Sequence, residues 1–187
     1  MEQGIRMFLE GLLEGIPASR CPAVDRRVPE RVAAAFADDL CAGYAAEPER
    51  CLRPLPLEDA GGPVVLRGIR FVSVCAHHLL PFEGLAHVGF VPEGRHVGLG
   101  ALAGLVDALA RRLTLQEELT ARIADALERG LAPRSLVVAL EGRHGCLAHR
   151  GARQEGHRLW TVERRGAPAA DLDRLVVAGA GFESDPG

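Results

Sequence analysis

The sequence predicts one α+β domain, an antiparallel sheet carrying helices on one face. Three observations lead there. At 187 residues the chain is about one domain long. Its hydrophobic period switches from helical spacing to β-rich runs, back to helical spacing, and back to strands. The β-rich runs come as two together, then two helices, then more strands, which is not the alternation of parallel βαβ units.

Each element has its own justification. Residues 5–16 place Ile5, Phe8, Leu9, Leu12, Leu13 and Ile16 at helical spacing, while Gly4, Gly11 and Gly15 weaken the helix and make it depend on a partner surface. Its polar face is acidic, which favours docking between subunits over membrane anchoring. Residues 16–27 read as a linker. Residues 28–44 read as a helix with Pro29 in the first turn and Val32, Phe36 and Leu40 on one face. The prolines and Gly-Gly of residues 47–63 predict loop. Strands are expected at 64–74 and, after the Leu80-Pro81 break, at 84–91. Helices are expected at 99–113 and 116–131, with Thr114 as N-cap and Glu117 as its capping-box partner. A third strand is expected at 135–141, and a last pair at 146–152 and 157–164. The division is an N-terminal helical arm and linker at 1–24, a domain at 25–178, and a frayed tail at 179–187.

Charge and composition remove several function classes. The 22 basic and 25 acidic residues give a net charge of −3, which excludes a broadly basic nucleic-acid binder. Every basic side chain is Arg, so no lysine is available as Schiff base, general base or phosphate ligand. No stretch approaches the roughly 18 apolar residues of a membrane span. The first residues lack the basic start and apolar run of a signal peptide. Five cysteines are an odd count and form no secreted framework, so the expectation is a reducing cytoplasm with thiolates free for metal.

The chemistry-bearing residues are concentrated. Cys75-Ala76-His77-His78 and His144-Gly145-Cys146, with His149 following, hold four of the seven histidines. Both clusters fall at expected strand ends. Thiolate and imidazole are zinc ligands, and a catalytic zinc site uses three protein ligands plus an open position. Cys75, His78 and Cys146 fit that rule, which leaves His77 and His144 for proton transfer. Against this stands the plainer reading of a buried structural cysteine beside paired histidines. Two clusters favour metal and suggest a zinc hydrolase.

Longer runs are more specific. The stretch from Phe71 through Cys75, His77, His78 and Pro81 to Gly84, followed by His87 to Pro92, resembles GTP cyclohydrolase I. So do Leu115-Gln116-Glu117-Glu118-Leu119-Thr120, His144-Gly145-Cys146 with Arg150-Gly151 behind it, and the helix start Val28-Pro29-Glu30-Arg31-Val32. The similarity spans roughly residues 25–178. It implies the tunnelling fold, a four-stranded antiparallel sheet with two helices on one face plus N-terminal helices. It also implies assembly into an oligomeric barrel, usually a homodecamer, with active sites between subunits. By position it implies Zn²⁺ on Cys75, His78 and Cys146, lowering the pKa of a bound water toward roughly 7 for attack on C8 of a purine. His77 and His144 match the acid/base histidines, and Leu115, Gln116 and Glu117 the base-recognition segment. A carboxylate suits guanine, whose N1–H and 2-amino group stand side by side. Without the resemblance, Glu117 reads as a helix-start acid.

The departures from the family pattern concern phosphate. The family's Ser, Lys and Arg contacts fall on Gly100, Ala101 and Gly104, and only Arg150 keeps its place. Charge-assisted hydrogen bonds contribute roughly 1.5–3 kcal/mol each, so two lost cations cost about two decades of affinity. Ala76 replaces a Glu common in the family. The expectation is therefore a zinc hydrolase opening the imidazole ring of a guanine-type purine without a triphosphate, stopping at a ring-opened pyrimidine. The alternatives are an ordinary GTP cyclohydrolase I making 7,8-dihydroneopterin triphosphate and formate, and a non-catalytic purine-binding paralogue. A related family on this fold reduces a nitrile with a nicotinamide cofactor, but it lacks the Cys/His/Cys set. His87 reads as a strand residue, His96 and His157 as solvent-facing, His149 as a surface residue or, beside Arg150, a pocket-lining one, and Trp160 as core or interface.

Overall fold

A computed structural model describes residues 1–14, 27–58 and 61–178. The linker and tail expected at 16–27 and 179–187 therefore lie outside the described residues, apart from Arg27. The chain runs α1 (Glu2–Leu12), α2 (Val28–Ala34), α3 (Pro48–Cys51), β1 (Leu55–Pro56), β2 (Val64–Cys75), β3 (Pro81–Val91) and β4 (Arg95–His96). It continues with α4 (Leu99–Ala110), β5 (Leu113–Thr114), α5 (Gln116–Leu131), β6 (Ser135–His144), α6 (Gly145–Ala148), β7 (Leu159–Gly166) and α7 (Ala170–Asp173).

The sheet order is β5-β2-β3-β6-β7. Its four long strands are antiparallel, as expected, and the two residues of β5 add a short parallel pairing to the end of β2. β2 bulges between Leu66 and Ile69, where Gly68 takes φ +76, a left-handed conformation that suits glycine. β3 is buried on both sides of the sheet. Phe82, Ala86, Val88 and Phe90 meet α4 and α5 in the main core. The opposite face carries a second cluster, in which Leu172 and Val176 lie against Val137 and Ala139. A side chain at Gly89 would collide with Val176, so the C-terminal turns sit directly on β3. That second layer is absent from the expected architecture of helices on one face.

α4 and α5 carry the main core because their apolar stripes are nearly continuous. Leu102, Leu105, Leu119, Ile123 and Leu127 are essentially inaccessible to water, each contributing about 1.5–3 kcal/mol by burial. The helix expected at 28–44 is instead three pieces: α2, a π-helical turn Ala35–Leu40, and a 3-10 turn Ala42–Tyr44. Gly43 is the cause. Its N–H donates to Arg111 O at 2.9 Å, and a Cβ there would strike the end of α4. The region expected as loop at 47–63 holds α3 and β1, the latter paired with β4. Residues 146–152 do not form a strand, because the chain turns into α6 directly after β6.

Candidate active site

The turn from β2 into β3 builds one wall. Cys75 N–H donates to Leu80 O at 2.9 Å, and Cys75 O accepts from His78 and Leu79, with Leu79 at φ 55. Ala76 N–H donates to Thr114 O at 3.1 Å, so β5 braces the turn. The tight turn swings His78 back over Cys75, placing Nδ1 3.8 Å from the thiol sulfur. β6 supplies the other wall. Its last residue, His144, pairs with Phe82 of β3, and Cys146 follows in α6. Gly145 lets α6 close on β3, since a Cβ there would sit 2.8 Å from Pro81 O.

Cys75, His78 and Cys146 thus converge, their ligand atoms all within 4.8 Å of one another. Cys75 is buried, Cys146 half-buried and His78 exposed, which leaves one side open. The donor set fits zinc. Burial and the neighbouring Cys75 sulfur push the Cys146 thiol above its ordinary value, partly offset by Arg150. The Cys146 thiol therefore resists ionisation, and a divalent cation removes that resistance.

His144 is held with unusual completeness. Its ring stacks on Phe82, with centroids 4.6 Å apart and planes 4° apart. Its Nε2 lies 2.9 Å from Gln116 Oε1. Gln116 is fully buried, and its amide nitrogen faces Leu140 O, Leu159 O and Thr161 Oγ1 at 3.1, 2.9 and 3.1 Å. The two carbonyls can only accept, so that nitrogen is the NH₂ and the oxygen must face His144. Nε2 of His144 therefore carries the donated proton, and Nδ1 is the unprotonated nitrogen of the neutral ring. Burial and the nearby His157 push the His144 pKa down, while Glu117 pulls it up.

The remaining residues separate into two groups. His77 is exposed beside the cluster, its ring 6.0 Å from that of His78, and Glu117 is exposed at the start of α5, close enough to act on His144. Leu115 packs against the main core, and Arg150 is exposed close enough to Cys146 to act on its thiol. Ala101 packs against the main core. Gly100 and Gly104 line an open groove of about 640 Å³ with Arg67, Arg70 and Asp107. That groove lies at the start of α4, whereas the turn after α4 meets β2 beside Cys75 through Arg112 O.

Some expectations need correction. Thr114 does not cap α5: Leu115 is the N-cap residue, and the Thr114 hydroxyl donates to Leu115 O at 3.2 Å. His157 is not solvent-facing, since its Nε2 accepts the His144 N–H at 2.9 Å. His96 is half-buried in β4. His149 is exposed, and Trp160 is half-buried over His87, as expected. Sequence reasoning missed His157, Thr161 and Phe82. Only Phe82 carried a signal, as the aromatic next to Pro81 in the first motif.

The comparisons with known proteins agree with this geometry. The family model described as GTP cyclohydrolase I matches residues 5–175. The chain belongs to the GTP cyclohydrolase I family. With that membership goes its enzyme class, hydrolases acting on C–N bonds of a cyclic amidine. The GTP cyclohydrolase 1 of Leifsonia xyli is 42% identical over 158 residues, covering 82% of each chain. That of Brucella canis is 45% identical over 150 residues, covering 79% of this chain and 70% of its own. Among solved structures, an archaeosine synthase QueF-like protein in its apo form superposes with a TM-score of 0.50 at 19% identity. It covers 59% of this chain and 100% of its own, and so supports the tunnelling fold alone. Among the described residues no helix is long and apolar enough to cross a membrane.

Proposed function

We propose that this chain is a zinc-dependent GTP cyclohydrolase I, hydrolysing the imidazole ring of GTP at C8 to give 7,8-dihydroneopterin triphosphate and formate. The observation that carries the reading is the Cys75, His78 and Cys146 cluster in a chain of this family. Zn²⁺ there supplies Lewis acidity and a water acidic enough for hydrolysis near neutral pH. The Glu117 carboxylate accepts the guanine N1–H and 2-amino group, rejecting bases that lack those donors. His144 exchanges protons through Nδ1, because Nε2 is engaged with Gln116. His77, exposed beside the cluster, gives the second proton.

We further propose a homo-oligomer with shared sites. The outer edge of β2 before Val74 and the outer edge of β7 have no strand partner among the described residues. The groove at Gly100 and Gly104 is also remote from the cluster, so a phosphate wall from that groove must come from a neighbouring copy.

One observation favours a second reading. Gly100, Ala101 and Gly104 offer no hydroxyl or cation to a triphosphate. A guanine nucleoside, base or monophosphate is the matching substrate, with a ring-opened pyrimidine as the matching product. Mass spectrometry of zinc-loaded protein with GTP, GMP, guanosine and guanine decides between them. A pterin triphosphate from GTP supports the first reading. A ring-opened pyrimidine from a less phosphorylated purine replaces it with the second, and no product from any of the four sinks both.

A further inference from the structure

We infer that His157 is a positioning residue for His144, capping the backbone at the point where β6 leaves the sheet. The inference rests on the reading of His144 as a proton-transfer residue. The β6–β7 ladder runs from Ser135↔Gly166 to Gly142↔Leu159 and stops. Continuing that register by two residues brings His157 opposite His144. There the backbone of β7 has already departed, so the His144 N–H has lost its strand carbonyl. The imidazole of His157 replaces it, Nε2 accepting that N–H at 2.9 Å.

The rest of the ring is also committed. Nδ1 of His157 lies against Gln154 O and donates to it. One tautomer satisfies both contacts: proton on Nδ1, lone pair on Nε2. The loop is strapped in turn, with Gln154 N–H donating to Leu147 O at 3.0 Å and Arg143 Nε donating to Glu155 O at 3.2 Å. His157 therefore substitutes a side-chain acceptor for a backbone one. β6 can end there, turn into α6, and keep the His144 ring between Phe82 and Gln116.

Serine or alanine at 157 cannot reach from the loop to the His144 amide, whereas the amide oxygen of glutamine reaches about as far as Nε2. The geometry calls for an acceptor at that distance, not for a titrating group.

The test uses the full-length zinc-loaded protein and two variants, His157→Gln and His157→Phe. Formate release gives kcat and KM on whichever purine the wild type turns over. Zinc content is measured for all three, and amide exchange and imidazole ¹⁵N shifts are read by NMR. The expected result is that His157→Phe lowers kcat about 10- to 100-fold with KM within about threefold, the cost of a slightly misplaced group. His157→Gln recovers kcat to within about threefold of wild type. The His144 amide exchanges at least about tenfold faster in the Phe variant alone, and zinc content is the same throughout. Full kcat in His157→Phe overturns the inference. So does a Gln variant as slow as the Phe variant, or zinc loss in the Phe variant, which would make His157 a support for Cys146 instead. A wild type inactive on every purine sinks the proposed function, while the NMR arm still reads the cap and its tautomer.

Discussion

The rings of Phe82 and His144 lie parallel, 4° apart, with centroids separated by 4.6 Å. They are register partners in the β3–β6 ladder, so the stack is set by strand pairing and not by a loop. It fixes the plane of His144 and leaves rotation within that plane to Gln116.

Replacing Phe82 tests the stack directly. Phe82 is fully buried, and truncation to Ala should cost about 3–5 kcal/mol of stability. Phe82→Leu is milder, below about 1.5 kcal/mol, because it keeps most of the volume. It should nonetheless lower formate release about tenfold, since an off-plane His144 transfers protons poorly. Urea denaturation beside steady-state kinetics separates the two effects.

Gly142 is the position that lets Gln116 reach His144. A Cβ at 142 would collide with Gln116 Oε1 and lie 3.6 Å from His144 Nε2. Gly142→Ala should cost about 1–3 kcal/mol by overpacking and release the His144 ring. Loss of kcat with retained zinc is the expected result. An alanine variant with wild-type kcat would show that Gln116 does not hold the histidine.

Zinc loading should release protons. The Cys146 thiol is raised by burial and by Cys75, so the metal-free protein keeps that proton at neutral pH. Zinc affinity should therefore fall as pH falls, and an indicator dye in weak buffer should report at least about one proton per zinc. Cys146→Ser should abolish both binding and release.

His87 sets an acid limit on stability. It is buried with neither ring nitrogen hydrogen-bonded among the described residues, stacked on Trp160 at 5.8 Å, and its pKa is pushed down by burial and by Arg67. A folded-state pKa below the unfolded value of about 6.5 means the unfolded chain takes the proton first. Stability is then complete above about pH 6.5 and falls as pH drops toward the folded pKa. Phe at 87 keeps a ring over Trp160 and removes the nitrogens. Its unfolding free energy should depend less on pH between about 6.5 and 5, as measured by urea titration at stepped pH.

The groove at α4 should accept side chains freely. A Cβ at Gly100 or Gly104 meets nothing within 4 Å. Gly104→Ala, in the interior of α4, should raise stability by about 0.8–1 kcal/mol through helix propensity, and Gly100→Ala, in its first turn, by less. Ala101→Lys with Gly104→Arg should lower KM for GTP about tenfold or more and leave guanosine unchanged, if phosphate passes this wall.

Much of this was legible in the residues. α5 was read to its exact ends, because Gln116–Leu131 is strongly periodic. The long strands were read because they are β-branched and bounded by turn residues. Cys75, His78 and Cys146 were grouped by chemistry and meet in space. The irregular parts were not legible. The 3-10 turn after α2 holds Gly43 against the end of α4, a contact far apart in sequence. His157 looked like a loop histidine because its role depends on where the β6–β7 ladder stops. The capping box at Thr114 failed because β5 draws that residue into the sheet, a tertiary pairing that outweighs a local cap.

The ligand cluster also has a place in the order of folding. Cys75 ends β2 and Cys146 follows β6, and β3 pairs with both strands between them. Cys75 and His78 share the local β2–β3 turn, but Cys146 cannot join them until β3 has zipped to β6, a pairing of high contact order that forms slowly. Zinc therefore encounters a finished sheet or none, and its capture rate in refolding becomes a clock for completion of the central strands.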